Sequence, residues 1–121
     1  MPAHMLVVDD EENIRTALQR WFEASGFTVD VAPDGAEALE KCMRAEYDVV
    51  TMDLEMPRMD GVEAIAAIRN VCPGVPILVL TGFLGRANEA IRHGATKILA
   101  KPLSLRKLEE EVRAILAAKV S

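Results

Sequence analysis

Acidic residues stand directly behind two apolar segments of this sequence. Asp9 and Asp10 follow the run at 5–8, and Asp53 follows a segment that contains Val49 and Val50. Three carboxylates that met in a folded chain would repel one another, and some would be driven toward protonation. A divalent cation removes that conflict, and an all-oxygen site suits Mg²⁺, whose bonds are about 2.0–2.1 Å long. These residue types therefore predict a magnesium site, provided that the two segments lie side by side.

A hydroxyl and an ammonium group stand behind two later apolar segments. Thr81 follows the run at 77–80, and Lys101 follows the short segment at 97–100. A carboxylate such as Asp53 can act as a nucleophile and form an acyl phosphate. The oxygens of a phosphoryl group in transfer need positive charge and hydrogen-bond donors, which Lys101, Thr81 and the metal would supply. The residues therefore favour phosphoryl transfer to an aspartate.

Each of these residues also has an ordinary interpretation when it is taken alone. Asp10 could cap the first helix, Asp53 could cap or turn the chain, Thr81 could be a strand-end hydroxyl, and Lys101 could be solvated. Their joint placement at the ends of four apolar segments is what favours a site.

The elements that must position these residues alternate regularly along the chain. Apolar segments predict strands at 5–8, 27–32, 47–52, 77–80 and 97–100, and helical spacing predicts helices at about 14–26, 36–45, 62–71, 86–93 and from 105 onward. Five βα units predict an α/β fold with a doubly wound, parallel five-stranded sheet of the flavodoxin-like order 2-1-3-4-5. The second segment alternates between apolar and polar residues, which indicates an edge strand. All four polar positions would then meet at the carboxyl edge of the sheet.

Size and composition limit the class of protein. The 121 residues suit one domain, which we expect to span 1–121. A net charge of −5 argues against a nucleic-acid surface, and no apolar run approaches the length of a membrane span. We expect a cytoplasmic protein, because no signal peptide is visible at the start of the sequence. Cys42 and Cys72 are expected to be reduced and packed, and His4 and His93 to be ordinary surface residues.

Several motifs in this order resemble one known family, the receiver domains of response regulators, over essentially the whole chain. The matching stretches are Leu6-Val7-Val8-Asp9-Asp10-Glu11, Asp53-Leu54-Glu55-Met56-Pro57-Arg58-Met59-Asp60-Gly61, Leu80-Thr81-Gly82, Gly94-Ala95 and Lys101-Pro102. The resemblance implies that Asp53 is phosphorylated in a Mg²⁺-dependent reaction, for which Mn²⁺ could substitute. It implies that Asp10 binds the metal directly, that Asp9 acts mainly through water, and that the backbone carbonyl of Glu55 completes the protein ligands.

The resemblance also implies a switch and partners. Thr81 would turn toward the phosphoryl group, and Lys101 would pair with the phosphoryl oxygens. The peptide bond between Lys101 and Pro102 would be cis. The phosphoryl group would come from the phosphohistidine of a sensor histidine kinase or phosphotransfer protein. An output domain or partner protein would read the change. Such a domain is a signalling phosphoacceptor, not an enzyme in the usual sense, because it catalyses only its own phosphorylation and dephosphorylation.

The sequence departs from the family pattern at two places. Family members commonly carry Tyr or Phe where this chain has Ile98, which puts the usual coupling of an aromatic ring to Thr81 in doubt. We interpret Ile98 as a packed edge-strand residue. The stretch from Thr81 to Gly94 is also short, so a short or shifted fourth helix is expected.

Three other functions compete with the receiver interpretation. A haloacid-dehalogenase-type aspartyl-phosphate hydrolase would need Asp-x-Asp, whereas Asp53 is followed by Leu54 and Glu55. A flavin-binding module would need a Ser/Thr/Gly-rich loop where this chain has acidic residues. A phosphorylation-independent adaptor on the same fold stays open because of Ile98.

Overall fold

The computed structural model of the chain describes residues 2–55 and 60–120, with side chains as far as residue 118. Within them, five parallel strands form one sheet in the order β2-β1-β3-β4-β5. The strands are β1 (His4–Val8), β2 (Thr28–Ala32), β3 (Val49–Asp53), β4 (Ile77–Thr81) and β5 (Lys97–Ala100). The predicted sheet and its strand order are confirmed.

Helices cover both faces of this sheet. They are α1 (Glu12–Ala24), α2 (Gly35–Arg44), α3 (Gly61–Val71), α4 (Ala87–Arg92) and α5 (Leu105–Val120). On one face α1 and α5 bury a cluster that includes Phe22 and Val112, and on the other face α2, α3 and α4 bury a cluster that includes Ile65 and Ala90. The chain is therefore doubly wound, as predicted.

The burial of each strand explains its sequence pattern. Every residue of β3 and β4 is buried, because helices lie against both of their faces. Apolar runs are therefore required there. Strand β2 lies at an edge and leaves Thr28 exposed while Val29 is buried, which accounts for its alternation.

Local signals set the ends of several helices. The Asp34 side chain accepts a hydrogen bond from the backbone N–H of Glu37 and caps α2, and Asp60 does the same for α3 with the N–H of Val62. Gly94 follows α4 with a φ of +119°, a left-handed conformation that side chains other than that of glycine rarely adopt. These local signals end the helices close to the neighbouring strands, so the connecting loops are short.

The register of the sheet brings the predicted site residues to one edge. Val8 of β1 lies beside Met52 of β3, so Asp9 follows alongside Asp53. Strand β4 continues the row, with Thr81 beside Ala100 of β5. The carboxyl ends of β1, β3, β4 and β5 therefore form one continuous edge, where open α/β sheets bind their ligands.

The structure shifts some predicted boundaries. Strand β3 begins at Val49, two residues later than predicted, and ends on Asp53 itself. The predicted fourth helix divides into a 3₁₀ turn at Leu84–Arg86 and the six-residue α4, so the expectation of a short helix is confirmed. Most of the loop predicted at 57–61 lies outside the described residues. Among the helices that the structure describes, none is long and apolar enough to cross a membrane.

Candidate functional site

Three carboxylates meet at the carboxyl edge of the sheet. One oxygen each from Asp9, Asp10 and Asp53 lies within 4.8 Å of the others. Asp9 and Asp53 are only 2% and 3% exposed, whereas Asp10 is exposed. The predicted convergence of the three acids is thus confirmed. Asp10 does not cap α1, because the N-cap position is occupied by Glu11, which makes no side-chain capping bond.

The electrostatics of the trio favour a bound cation. Burial raises the pKa of Asp9 and of Asp53 above the ordinary value of 3.8. Backbone N–H groups oppose this rise, from Glu11 to Asp9 Oδ1 at 2.9 Å and from Glu55 to Asp53 Oδ1 at 3.1 Å, as does the positive charge of Lys101. The balance remains unfavourable to the charged acids. Carboxylate oxygens without nitrogen or sulfur are a donor set that fits Mg²⁺.

Lys101 brings a positive charge to the same place. Its Nζ atom lies 3.5 Å from Asp53 Oδ2, and Asp53 Oδ1 is the oxygen that accepts the hydrogen bond from Glu55 N–H. The two oxygens of Asp53 therefore have different neighbours. The peptide bond between Lys101 and Pro102 is cis, as the resemblance implies.

Thr81 reaches this edge, but its hydroxyl is engaged elsewhere. The fully buried Thr81 Oγ1 lies 2.8 Å from Glu55 Oε1 and 2.9 Å from the carbonyl oxygen of Phe83. A hydroxyl has one proton, so these two acceptors compete for it, and the charged carboxylate is the stronger acceptor. The Phe83 N–H also donates to Thr81 Oγ1 at 3.0 Å. In this conformation Glu55 thus holds the hydroxyl that the resemblance assigns to the phosphoryl group.

Sequence reasoning assigned only the backbone carbonyl of Glu55 and missed the role of its side chain. The contact joins residues 26 positions apart, and a lone Glu after Leu54 gives no local signal for it. The position of the carbonyl as a metal ligand stays a prediction.

A second contact that the sequence did not reveal ties the segment after β4 to the start of α3. Arg86 Nη2 lies 2.6 Å from Glu89 Oε1 and 3.6 Å from Asp60 Oδ1. Asp60 is the N-cap of α3, so Arg86 links the 3₁₀ turn to the loop that follows Asp53. An ion pair therefore joins the segment after β4 to the start of α3.

An apolar cleft of about 610 Å³ opens beside the carboxylates. Asp9 and Lys101 line it together with residues of α1, of the end of β4, and of the segment from Pro102 to the start of α5. Its apolar lining includes Ile14, Leu18, Leu103, Leu105 and Leu108. A partner that approaches the acids from this side would meet an apolar surface.

Ile98 lies on the edge strand β5 and is partly buried against the cluster under α2, α3 and α4. Its interpretation as a packed edge-strand residue is confirmed. A side chain without a ring or hydroxyl gives Thr81 no aromatic partner at this position.

Comparisons with known proteins agree with this arrangement. Residues 5–113 match the family model described as the response regulator receiver domain. The chain is 37% identical over 118 residues to response regulator MprA of Mycobacterium sp. (strain KMS). The aligned region covers 96% of this chain and 51% of that protein. It thus spans about half the length of the curated relatives that it matches.

Solved structures show the same fold. Chemotaxis protein CheY4 of Vibrio cholerae superposes with a TM-score of 0.90 and 34% identity, over 95% of this chain and 99% of that one. The receiver domain of a sensor histidine kinase from Pseudomonas aeruginosa PAO1 gives a TM-score of 0.89 and 26% identity, over 97% and 99% of the two chains. That protein has a magnesium ion coordinated in its active-site cleft. With a family match over most of its length and this set of acids at the carboxyl edge, the chain belongs to the response-regulator receiver domains of two-component signalling systems.

Proposed function

We propose that Asp53 of this receiver domain accepts a phosphoryl group from the phosphohistidine of a sensor histidine kinase or phosphotransfer protein. One observation carries the proposal: Asp53 is buried within 4.8 Å of two other acids and 3.5 Å from the ammonium of Lys101. A structural carboxylate would be expected to have its charge balanced. This one has a raised pKa and a cation on one side only.

The chain's own residues account for the transfer. Asp53 Oδ2 lies next to Lys101, and we assign the attack on phosphorus to this oxygen. The phosphorus–nitrogen bond of the phosphohistidine breaks, and the imidazole leaves with the bonding electrons. Lys101 stabilises the charge on the phosphoryl oxygens, while the Glu55 N–H holds Asp53 Oδ1 in place.

Asp9, Asp10, Asp53 and the backbone carbonyl of Glu55 would hold Mg²⁺, or Mn²⁺ in its place. When bound, the cation would add positive charge beside the phosphoryl oxygens and lessen the repulsion among the acids. The raised pKa values of Asp9 and Asp53 support such an ion.

The contact between Thr81 and Glu55 supplies the response. A phosphoryl group on Asp53 presents new anionic acceptors, which compete with Glu55 for the Thr81 proton. Once Thr81 turns, Phe83 loses its bonds to Oγ1, and the segment that carries Arg86 is released from one of its ties. A phosphoryl group shifts this equilibrium by the difference between its interactions in the two states.

Incubation with Mg²⁺ and acetyl phosphate, followed by intact mass measurement, tests the proposal. We expect a mass gain of one phosphoryl group that is lost in Asp53→Asn and in the presence of a chelator. Glu40→Gln is the matched control, because Glu40 is an exposed acid on α2 whose side chain is 58% accessible. Persistence of the modification in Asp53→Asn would show that another residue is the acceptor.

The wider role follows from the same site. We infer that residues 1–121 act as a single receiver unit in the cytoplasm, and that an output domain or a partner protein reads its state. The acidic net charge of −5 supports a protein partner over direct binding of nucleic acid or an anionic membrane surface.

A second candidate function rests on Ile98. Because this residue offers no ring to couple to Thr81, a phosphorylation-independent adaptor would bind its partner equally well with and without the phosphoryl group. A mass gain on Asp53 with a partner affinity that responds to it would exclude the adaptor.

A further inference from the structure

Two cysteines meet at the amino edge of the sheet, opposite the carboxylates. Cys42 lies near the end of α2, and Cys72 follows directly after α3. The Cys72 thiol donates a hydrogen bond to the carbonyl oxygen of Cys42, with 3.4 Å between sulfur and oxygen, across 30 positions of sequence. The side chains also interact with each other: burial raises the pKa of Cys42 to about 11, and the neighbouring Cys72 side chain adds to the rise.

The surroundings of the two sulfurs differ. Cys42 is 5% exposed, whereas Cys72 is half-buried, and both line a surface depression of about 600 Å³. The guanidinium of Arg69 lies beside Cys72 and donates to its carbonyl oxygen at 3.3 Å. Because Cys72 is the more exposed of the two, its sulfur is the one that an oxidant in solvent reaches first. The buried Cys42 is the residue whose backbone the Cys72 sulfur contacts.

We propose that Cys42 and Cys72 form an oxidation-sensitive dithiol, which hydrogen peroxide converts to an intramolecular disulfide between α2 and the end of α3. The Cys72 sulfur attacks one peroxide oxygen, the O–O bond breaks, and a sulfenic acid and one water form. The Cys42 sulfur then attacks the Cys72 sulfur, the S–O bond breaks, and a second water leaves with the remaining thiol proton. Two thiols and one peroxide thus give one disulfide and two waters.

The proposal concerns an edge of the molecule that phosphoryl transfer does not use. Helix α3 begins at Gly61, close to the carboxylates, and its 11 residues place Cys72 about 16 Å away along the helix axis. Cytosolic disulfides are usually transient and redox-sensing, and Cys42 and Cys72 are not joined in this structure.

Mass spectrometry of the folded, full chain tests the proposal. After limited treatment with hydrogen peroxide and alkylation of free thiols, we expect an intact mass lower by two hydrogens and no alkylated cysteine. Trypsin should then release residues 42–44 joined to residues 70–86, because cleavage follows Lys41, Arg44, Arg69 and Arg86. Cys42→Ser should leave a sulfenic or more oxidised Cys72, and Cys72→Ser should leave Cys42 alkylatable only after unfolding.

Phenylarsine oxide supplies a second measurement that needs no oxidant, because trivalent arsenic bridges two adjacent thiols. One equivalent should bind the folded chain and protect it from peroxide, and each single serine variant should lose this binding. Oxidation of Cys72 alone in the unaltered chain, disulfide-linked dimers only, or a disulfide that forms only in denaturant would each overturn the proposal.

Discussion

The pKa values of partly buried carboxyl groups are shifted in opposite directions at the two edges of the sheet. Near the amino edge, burial acts to raise the pKa of Asp30, but hydrogen bonds from the Tyr47 hydroxyl at 2.7 Å and from His4 Nε2 at 3.0 Å outweigh it and lower the pKa overall. At the carboxyl edge, burial prevails and the pKa values of Asp9 and Asp53 rise. Charges at the first edge have partners that stabilise the fold. Charges at the second are left unbalanced, which costs stability and leaves a site for ligands.

Arg69 is a cation near the amino edge whose charge likewise has partners within the fold. Its guanidinium donates to the carbonyl oxygens of Val75 at 2.6 Å, Pro73 at 2.9 Å and Gly94 at 2.6 Å. These bonds tie the loop between α3 and β4 to the turn between α4 and β5. A positive charge is here a structural clamp, whereas Lys101 at the other edge places a positive charge 3.5 Å from Asp53 Oδ2 in the acidic trio.

The largest effect on stability is expected from Arg69→Ala. Loss of several charge-assisted hydrogen bonds should lower the free energy of unfolding by about 3 kcal/mol in urea titrations. Arg92→Ala, at an exposed position of α4, is the matched control and should change it by less than about 0.5 kcal/mol. Equal losses in the two variants would mean that Arg69 is not a clamp.

Asp30→Asn should have the next largest effect and should depend on pH. At pH 7 we expect a loss of about 1–2 kcal/mol, because the charged acceptor of Tyr47 is removed. The pKa of Asp30 is lowered on folding, so its contribution is present above the unfolded value of about 3.8 and is lost as the pH falls through the folded value. Urea titrations should therefore show a smaller difference from the unaltered chain below about pH 4.

A double-mutant cycle sharpens this test. If the hydrogen bond carries the effect, Asp30→Asn and Tyr47→Phe should be less than additive in the free energy of unfolding. Full additivity would show that Asp30 acts through His4 or by another route.

Asp9→Asn at the opposite edge should change stability in the opposite direction. Without divalent cations, removing a buried charge from the acidic trio should raise the free energy of unfolding by about 1 kcal/mol, and the amide oxygen can still accept from Glu11 N–H. Thermal melts in a chelator measure the gain, and Mg²⁺ should stabilise the unaltered chain more than the variant. A loss of stability in chelator would break the contrast between the two edges.

The smallest effect is expected for Glu55→Gln, which keeps a hydrogen-bond acceptor for Thr81 but removes a charge. We expect phosphorylation by acetyl phosphate to become about two- to fivefold faster, a barrier change of roughly 0.5–1 kcal/mol. Two effects raise the rate. The neutral side chain of the variant competes less strongly than Glu55 for the Thr81 proton, and the anionic acetyl phosphate is repelled less. Slower phosphorylation, measured as the initial rate of mass gain, would show that Glu55 assists the transfer.

Much of the fold could be predicted because its signals are local. Buried strands require apolar runs, amphipathic helices require apolar residues at helical spacing, and five such pairs leave few topologies. The site could be predicted from the same reasoning, since polar residues that end parallel strands share one edge. This pattern predicts that Asp9, Asp53, Thr81 and Lys101 lie at one edge. The boundaries of β3 and α4 were less accurate, because they depend on contacts with neighbouring elements.

The sequence by itself determined the order of the strands, the edge where acids gather and the family to which the chain belongs. Only the tertiary structure decided which groups touch across that framework: Glu55 with Thr81, Arg69 with four carbonyl groups, and Cys72 with Cys42. The periodicity of apolar residues indicates which face of a helix or strand is buried, and this information is carried by residues close in sequence. Contacts between helices and loops depend on packing angles and side-chain rotamers, which are set by the whole core together.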